Sequence, residues 1–138
     1  MSFLQAEKRR QAEWKLKTHY LTHKAKKPGL FNSKLYPFCL PVDHASENLF
    51  PGIRNDVIRY FNENKITWHT GAIPGYPSNH LCSSQVFLVN YLAPFQYDKE
   101  ALAQLFKPAF NDINEILPIE KQKQYMSFEW IPPCDLLG

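Results

Sequence analysis

From Leu4 to His23 no Pro or Gly interrupts the chain, and Ala6, Ala12, Leu16, Tyr20 and Leu21 recur at roughly helical spacing. Phe3, Leu4 and Trp14 widen the same stripe while the basic residues fall opposite. This predicts an amphipathic helix stopped by Pro28-Gly29. Prolines at 28, 37, 41 and 51 break the next segment into an irregular arm. Phe31, Leu35, Tyr36, Phe38, Leu40, Leu49 and Phe50 give that arm enough apolar surface to pack.

Ile53, Val57, Ile58, Tyr60 and Phe61 describe one buried face of a second helix over Ile53 to Asn64. Ile66 to His69 reads as a short extended piece, and Gly71, Pro74, Gly75 and Pro77 mark a loop. A third helix is predicted from His80 to Leu92, with Ser78 or Asn79 as its cap. It is apolar almost all round (Leu81, Cys82, Val86, Phe87, Leu88, Val89, Tyr91, Leu92), which predicts a central position. Asp98 is placed to cap a fourth helix bearing Leu102, Leu105, Phe106, Phe110, Ile113 and Ile116, kinked or divided at Pro108. Tyr125 to Ile131 is aromatic and β-branched and reads as a strand ended by Pro132-Pro133. The fold class expected is α+β, predominantly helical, with four or five helices and one strand. An isolated strand is not stable, so this one predicts a partner strand on another chain or in sequence following Gly138.

Charge adds an asymmetry to this picture. Residues 1–34 hold nine basic residues (Lys8, Arg9, Arg10, Lys15, Lys17, Lys24, Lys26, Lys27, Lys34) against Glu7 and Glu13, a balance of +7. The whole chain carries +3, so the remaining residues balance to −4. A basic arm on an acidic body suits phosphate contact through Lys8, Arg9, Arg10, Lys15, Lys17, Lys24, Lys26 and Lys27. The competing reading is a solvated helix face, or an arm packed on the acidic body. A hydrophobic content of 44% with 21% charged residues is that of a globular chain and argues against disorder. Val86 to Ala93 is too short to span a bilayer, and no apolar run follows the basic N-terminus, so neither a membrane nor a secretory route is expected. Cys39, Cys82 and Cys134 are odd in number and widely spaced, which suits free thiols in a reducing, cytoplasmic compartment.

Candidate chemistry is sparse. No phosphate-binding glycine loop, Gly-x-Ser-x-Gly elbow, Cys-x-x-Cys or His-Glu-x-x-His is present. His69 and His80 flank the Gly/Pro loop; a zinc site needs a further ligand such as Cys82 or Glu63, and the alternative is hydrogen bonding that fixes the loop. Ser83, Ser84, Gln85 and Asn90 are polar positions on an otherwise apolar helix, so they either line a cleft or bond the backbone. Glu129 alternates with Phe128 and Trp130 on the expected strand, and one carboxylate does not make a metal site.

Trp68-His69, a Pro-bearing loop, His80-Leu81-Cys82-Ser83-Ser84-Gln85-Val86-Phe87-Leu88-Val89-Asn90-Tyr91-Leu92 and Pro94, followed by Ser127-Phe128-Glu129-Trp130, resemble a bacterial branch of the PD-(D/E)XK nuclease superfamily. Asn48-Leu49-Phe50-Pro51 and the helix after it fit the opening of that pattern, and the resemblance covers residues 45–138. It implies a restriction-endonuclease-like α/β core of which this chain is the front half, with a basic helix and Pro-rich arm at 1–44 before it. The motif of that family, an Asp on one strand and Glu-x-Lys on the next, holds Mg²⁺ and positions water. Asp135 precedes the expected strand, and no Glu-x-Lys follows Glu129. The resemblance therefore implies a nuclease domain that is inactive alone, with Gln85, Glu129 and His80 near its cleft and Mg²⁺ serving only a completed domain. Its expected partners are nucleic acid, DNA before RNA, and a complementing chain or a second copy. The alternative function is a non-enzymatic helical module that binds nucleic acid or protein.

Overall fold

The computed structural model describes residues 2–110, 112–119 and 123–129. Four α-helices, α1 (Phe3–Lys17), α2 (Arg54–Glu63), α3 (Ser84–Leu92) and α4 (Lys99–Phe106), are joined by 3-10 segments at Val42–Asn48 and Ala93–Phe95 and by a hairpin of β1 (Gly29–Phe31) and β2 (Lys34–Tyr36). The class is α+β with helix predominant. The chain divides into two compact units, Met1–Tyr91 and Leu92–Gly138. The division falls at the end of α3. No helix among the described residues is long and apolar enough to cross a membrane.

In the first unit, Ser2 and Gln5 form a capping box that starts α1. The Ser2 hydroxyl accepts from Gln5 N at 3.3 Å, and the Gln5 side chain accepts from Ser2 N at 3.0 Å. The helix stops at Lys17 instead of reaching His23. Thr18 turns extended and its hydroxyl accepts from Tyr20 N at 3.2 Å, a local bond that competes with the helical ladder. The expected apolar stripe of α1 is not buried: Phe3 is 80% and Leu16 66% exposed. The one buried residue of this helix is Lys15. Its ammonium donates to Lys27 O at 3.0 Å and Cys39 O at 2.9 Å, while Lys8 lies over the Phe38 ring. The helix docks through lysine and turns its large apolar side chains outward.

The Pro-rich arm holds the sheet that the sequence pattern did not predict. β1 and β2 pair antiparallel with Leu30 opposite Leu35, and Asn32 and Ser33 between them both take positive φ, as a two-residue hairpin turn requires. A Cβ on Gly29 would sit 1.8 Å from Leu40 O, so only glycine allows this approach. Residues 38–40 then run beside 79–81: Leu40 N donates to Asn79 O, Leu81 N donates to Phe38 O, and Cys39 bridges His80. Leu21, Ala25 and Leu40 form a core cluster with Leu81 against it.

Helix α2 lies one residue inside its predicted limits at each end and buries Val57 and Phe61. The Phe61 ring stacks on Trp68 with centroids 3.9 Å apart. Residues 66–69, predicted extended, form no strand. Helix α3 begins four residues later than predicted because His80 to Ser83 are taken up by the bridge to residues 38–40 and the turn after it. Of its apolar set only Val86 and Val89 are buried, so it is a surface helix and not a central one.

In the second unit Asp98 caps α4 as its position predicts, its carboxylate accepting from Ala101 N at 2.9 Å. The helix ends at Phe106, short of Pro108, and Ile113 and Ile116 lie outside any helix. Gln96 and Gln124 are buried and bonded to each other at 3.1 Å, and Tyr125 N donates to Gln96 O. The predicted strand does not form over its described residues. Residues 125–129 carry no strand and Glu129 takes a φ of 51°, which breaks extended alternation; Trp130 and Ile131 lie outside the described residues.

Candidate functional site

Four amide side chains of the first unit each bond two backbone groups. Gln85 accepts from His69 N at 2.7 Å and donates to Thr67 O at 3.0 Å. Asn90 accepts from Phe50 N at 3.0 Å and donates to Asn48 O at 2.9 Å. The buried Asn48 donates to Ser78 O and His80 O, and the buried Asn79 to Leu30 O and Leu40 O. Gln85 and Asn90 therefore reach from one helix to two separate loops, gripping residues n and n+2 of each as a neighbouring strand would. In a unit with little sheet these amides satisfy backbone groups that have no ladder. Gln85 thus has both ends of its amide engaged with the backbone.

The His80 ring lies 5.0 Å from both the Phe31 and Phe38 rings, and its Nδ1 accepts from Cys82 N at 3.0 Å. Burial, with Lys8 adding to it, pushes its pKa down. A neutral ring accepting at Nδ1 carries its proton on Nε2. His69 is exposed, and no group of three or more His, Cys, Asp or Glu suited to a metal occurs among the described residues. Glu129 is exposed and lies in the other unit.

The basic candidates separate into four kinds. Lys15, expected among the phosphate contacts, is withdrawn from solvent by its two carbonyl bonds. Burial lowers its pKa, against an opposing pull from Cys39. Arg9 and Arg10 are exposed but paired within the helix, to Glu13 at 3.0 Å and Glu7 at 3.1 Å. Lys8 sits over Phe38, and Lys26 donates to Leu16 O at 3.2 Å. Lys17, Lys24 and Lys27 are exposed, and none makes an ion pair among the described residues. Between Glu13 and Asp43 the chain holds no acidic residue at all. The cationic surface is therefore the segment after α1 more than α1 itself.

A cluster that sequence reasoning missed joins that segment to the 3-10 helix. Glu47 accepts from Thr22 N at 2.7 Å, from the Thr22 hydroxyl at 2.9 Å and from His44 Nδ1 at 2.7 Å. Burial raises its pKa, but the bonds from Thr22 and His44 outweigh this and hold the carboxyl below its usual range. The Thr22 hydroxyl donates to the carboxylate rather than to His44. The trio is therefore a latch on the basic segment and not a nucleophile with a base. The i, i+3 spacing of His44 and Glu47 was the available signal. A cleft of about 490 Å³ lies beside α2, walled by Ile66, Trp68, Ile73 and Pro74 with Lys65 contributing a cation.

A family model described as "Restriction Endonuclease associating with ARP" matches residues 7–136. No curated protein and no solved structure matched the chain.

Proposed function

The chain belongs to the family described as restriction endonuclease associating with ARP, and from that premise we propose that it is the nucleic-acid-contacting component of a nuclease assembly. Phosphate contact falls to Lys17, Lys24 and Lys27 on the segment that Glu47 latches. DNA is the expected substrate. The observation that carries this reading is the coincidence of the family match, over residues 7–136, with a cationic stretch free of acidic residues from Trp14 to Val42. Hydrolysis by a restriction-endonuclease-like route needs clustered carboxylates that hold Mg²⁺ and stabilise the phosphodiester transition state. Four of the six carboxylates of the first unit serve other ends: Glu7, Glu13 and Asp56 pair with arginines three or four residues away, and Glu47 binds Thr22 and His44. On this reading the chain is inactive by itself, and Mg²⁺ chemistry belongs to the assembly completed by an associated protein, ARP in the family's description.

The test is a labelled duplex incubated with the purified chain, with and without Mg²⁺. Binding that weakens steeply with salt and leaves the substrate intact is expected. Cleavage by the chain alone in Mg²⁺ would overturn the inactivity, and absence of binding at low salt would overturn the nucleic-acid contact. A second reading, a protein-interaction module, is favoured by one observation: α1 presents Phe3, Leu4, Trp14 and Leu16 to solvent.

A further inference from the structure

Four large aromatic side chains of the first unit are exposed, in two ring pairs: Tyr20 with Phe50, and Tyr91 with Phe87, at 47%, 44%, 53% and 71%. The connections are explicit. His19 lies 4.2 Å from Tyr20, ring centre to ring centre, and Tyr20 lies 5.6 Å from Phe50. Phe50 N donates to the Asn90 side chain, which holds the Phe50 backbone against α3, and Asn90 precedes Tyr91 in the chain. One turn along α3, Phe87 is parallel to Tyr91 within 1°, with ring centres 6.5 Å apart. The ribbon starts in the acid-free segment, between the exposed Lys17 and Lys24.

This combination is specific in what it fits. Aromatic faces leave a duplex nothing to stack on, because its bases already stack on each other. A single strand offers both unpaired π-faces and phosphates, the two things that aromatic rings and neighbouring lysines bind. The Phe87 and Tyr91 rings are parallel within 1° with centres 6.5 Å apart, so bases stacked on the two meet them in one orientation. Neither side chain holds the fold together: the buried residues of α3 are Val86 and Val89, and the loop attachments of α3 run through Gln85 and Asn90.

We propose that Tyr20, Phe50, Tyr91 and Phe87 form a stacking platform for single-stranded nucleic acid, whose phosphates are met by Lys17 and Lys24. The proposal rests on the nucleic-acid contact argued above and adds the form of the strand and the residues that read it. The experiment is fluorescence anisotropy of a labelled dT20 strand and of a 20-base-pair duplex, with the full chain and its F87A/Y91A variant. Melting curves confirm that the variant is folded. The expected result is tighter binding of dT20 than of the duplex, and a loss of dT20 affinity of about tenfold or more in the variant. Duplex binding is expected to change less than threefold. A second readout needs no variant: a strand carrying 5-iodouracil, irradiated with the wild-type chain, should cross-link at Tyr20, Phe50, Phe87 or Tyr91.

Equal loss for both nucleic acids, or no loss for either, would overturn the platform while leaving general nucleic-acid contact standing. Failure to bind dT20 or duplex at all would remove both. Self-association that F87A/Y91A abolishes, with dT20 binding unchanged, would make the ribbon a protein contact and overturn the proposal.

Discussion

Replacing Lys15 by Met tests how α1 is held. The substitution keeps an unbranched stem of similar length and removes the ammonium, so the packing around the stem survives while two hydrogen bonds are lost. Those bonds go to Lys27 O at 3.0 Å and Cys39 O at 2.9 Å, and Cys39 is completely buried. A hydrogen bond from a charged group contributes about 1.5–3 kcal/mol, and a buried carbonyl left without a donor costs about 1–3 kcal/mol. The cost of burying the ammonium, visible in the lowered pKa of Lys15, opposes these terms and is relieved by the substitution. A net loss of about 2 kcal/mol is expected. No other residue of α1 is buried, so the loss should appear as undocking of this helix before unfolding of the rest.

Hydrogen exchange followed by mass spectrometry reads this directly. Amides of residues 3–17 should exchange about thirtyfold faster in K15M, since ~1.4 kcal/mol corresponds to a factor of ten, while α2 keeps its protection. The pH dependence carries a second signature. Because the folded pKa of Lys15 is lowered, the unfolded chain binds more protons between that value and the ordinary lysine value near ~10.4. The advantage of wild type over K15M should therefore grow as pH rises through that window. Unchanged exchange in α1, or faster exchange spread evenly through the unit, would refute the idea that a buried lysine is the anchor.

Three further outcomes follow from the same geometry. Asn90→Ala should lower stability by about 1–3 kcal/mol in urea titration, because it strips partners from Phe50 N and Asn48 O, and Gln85→Ala should do the same at Thr67 and His69. Gly29→Ala should cost more than about 3 kcal/mol or prevent folding, judged by thermal melting, since its Cβ would meet Leu40 O at 1.8 Å. The lowered pKa of Glu47 makes its contribution present above the unfolded Glu value near ~4.3 and lost as pH falls through the folded value. Melting temperatures of wild type and E47Q should accordingly converge in acid and differ at neutral pH.

What the sequence made legible follows the strength of the local signal. Helix α2 was readable because Val57 and Phe61 keep one buried face, and the start of α4 because Asp98 caps it; its end was not, since the apolar spacing of Phe110, Ile113 and Ile116 carried the expected helix past Pro108. Helix α1 was readable as a helix but not in its orientation: periodicity marks Leu16 and Trp14 as core, whereas two backbone carbonyls draw Lys15 inward. The same failure recurs in α3, where an apolar circumference implied burial and the structure leaves Phe87, Leu88 and Tyr91 exposed. Amphipathic pattern records which residues avoid water, not which find a neighbour within one chain. The hairpin escaped because its turn is Asn32-Ser33 instead of a glycine pair and because prolines surround it. The amide attachments were half legible, since polar positions on α3 had to bond something. The His44–Glu47 half of the latch carried an i, i+3 signal, but Thr22 lies far from Glu47 in sequence and no local rule finds that contact.

The most direct measurement is a gel-shift titration of the purified chain with a labelled duplex at two salt concentrations, followed by denaturing electrophoresis of the same samples after incubation with Mg²⁺. Retarded complexes that dissolve at the higher salt, full-length strands after Mg²⁺, and weaker retardation for a K17A/K24A/K27A variant of unchanged stability are expected. Cleaved strands from the chain alone, or retardation indifferent to those three lysines, would contradict the proposed function.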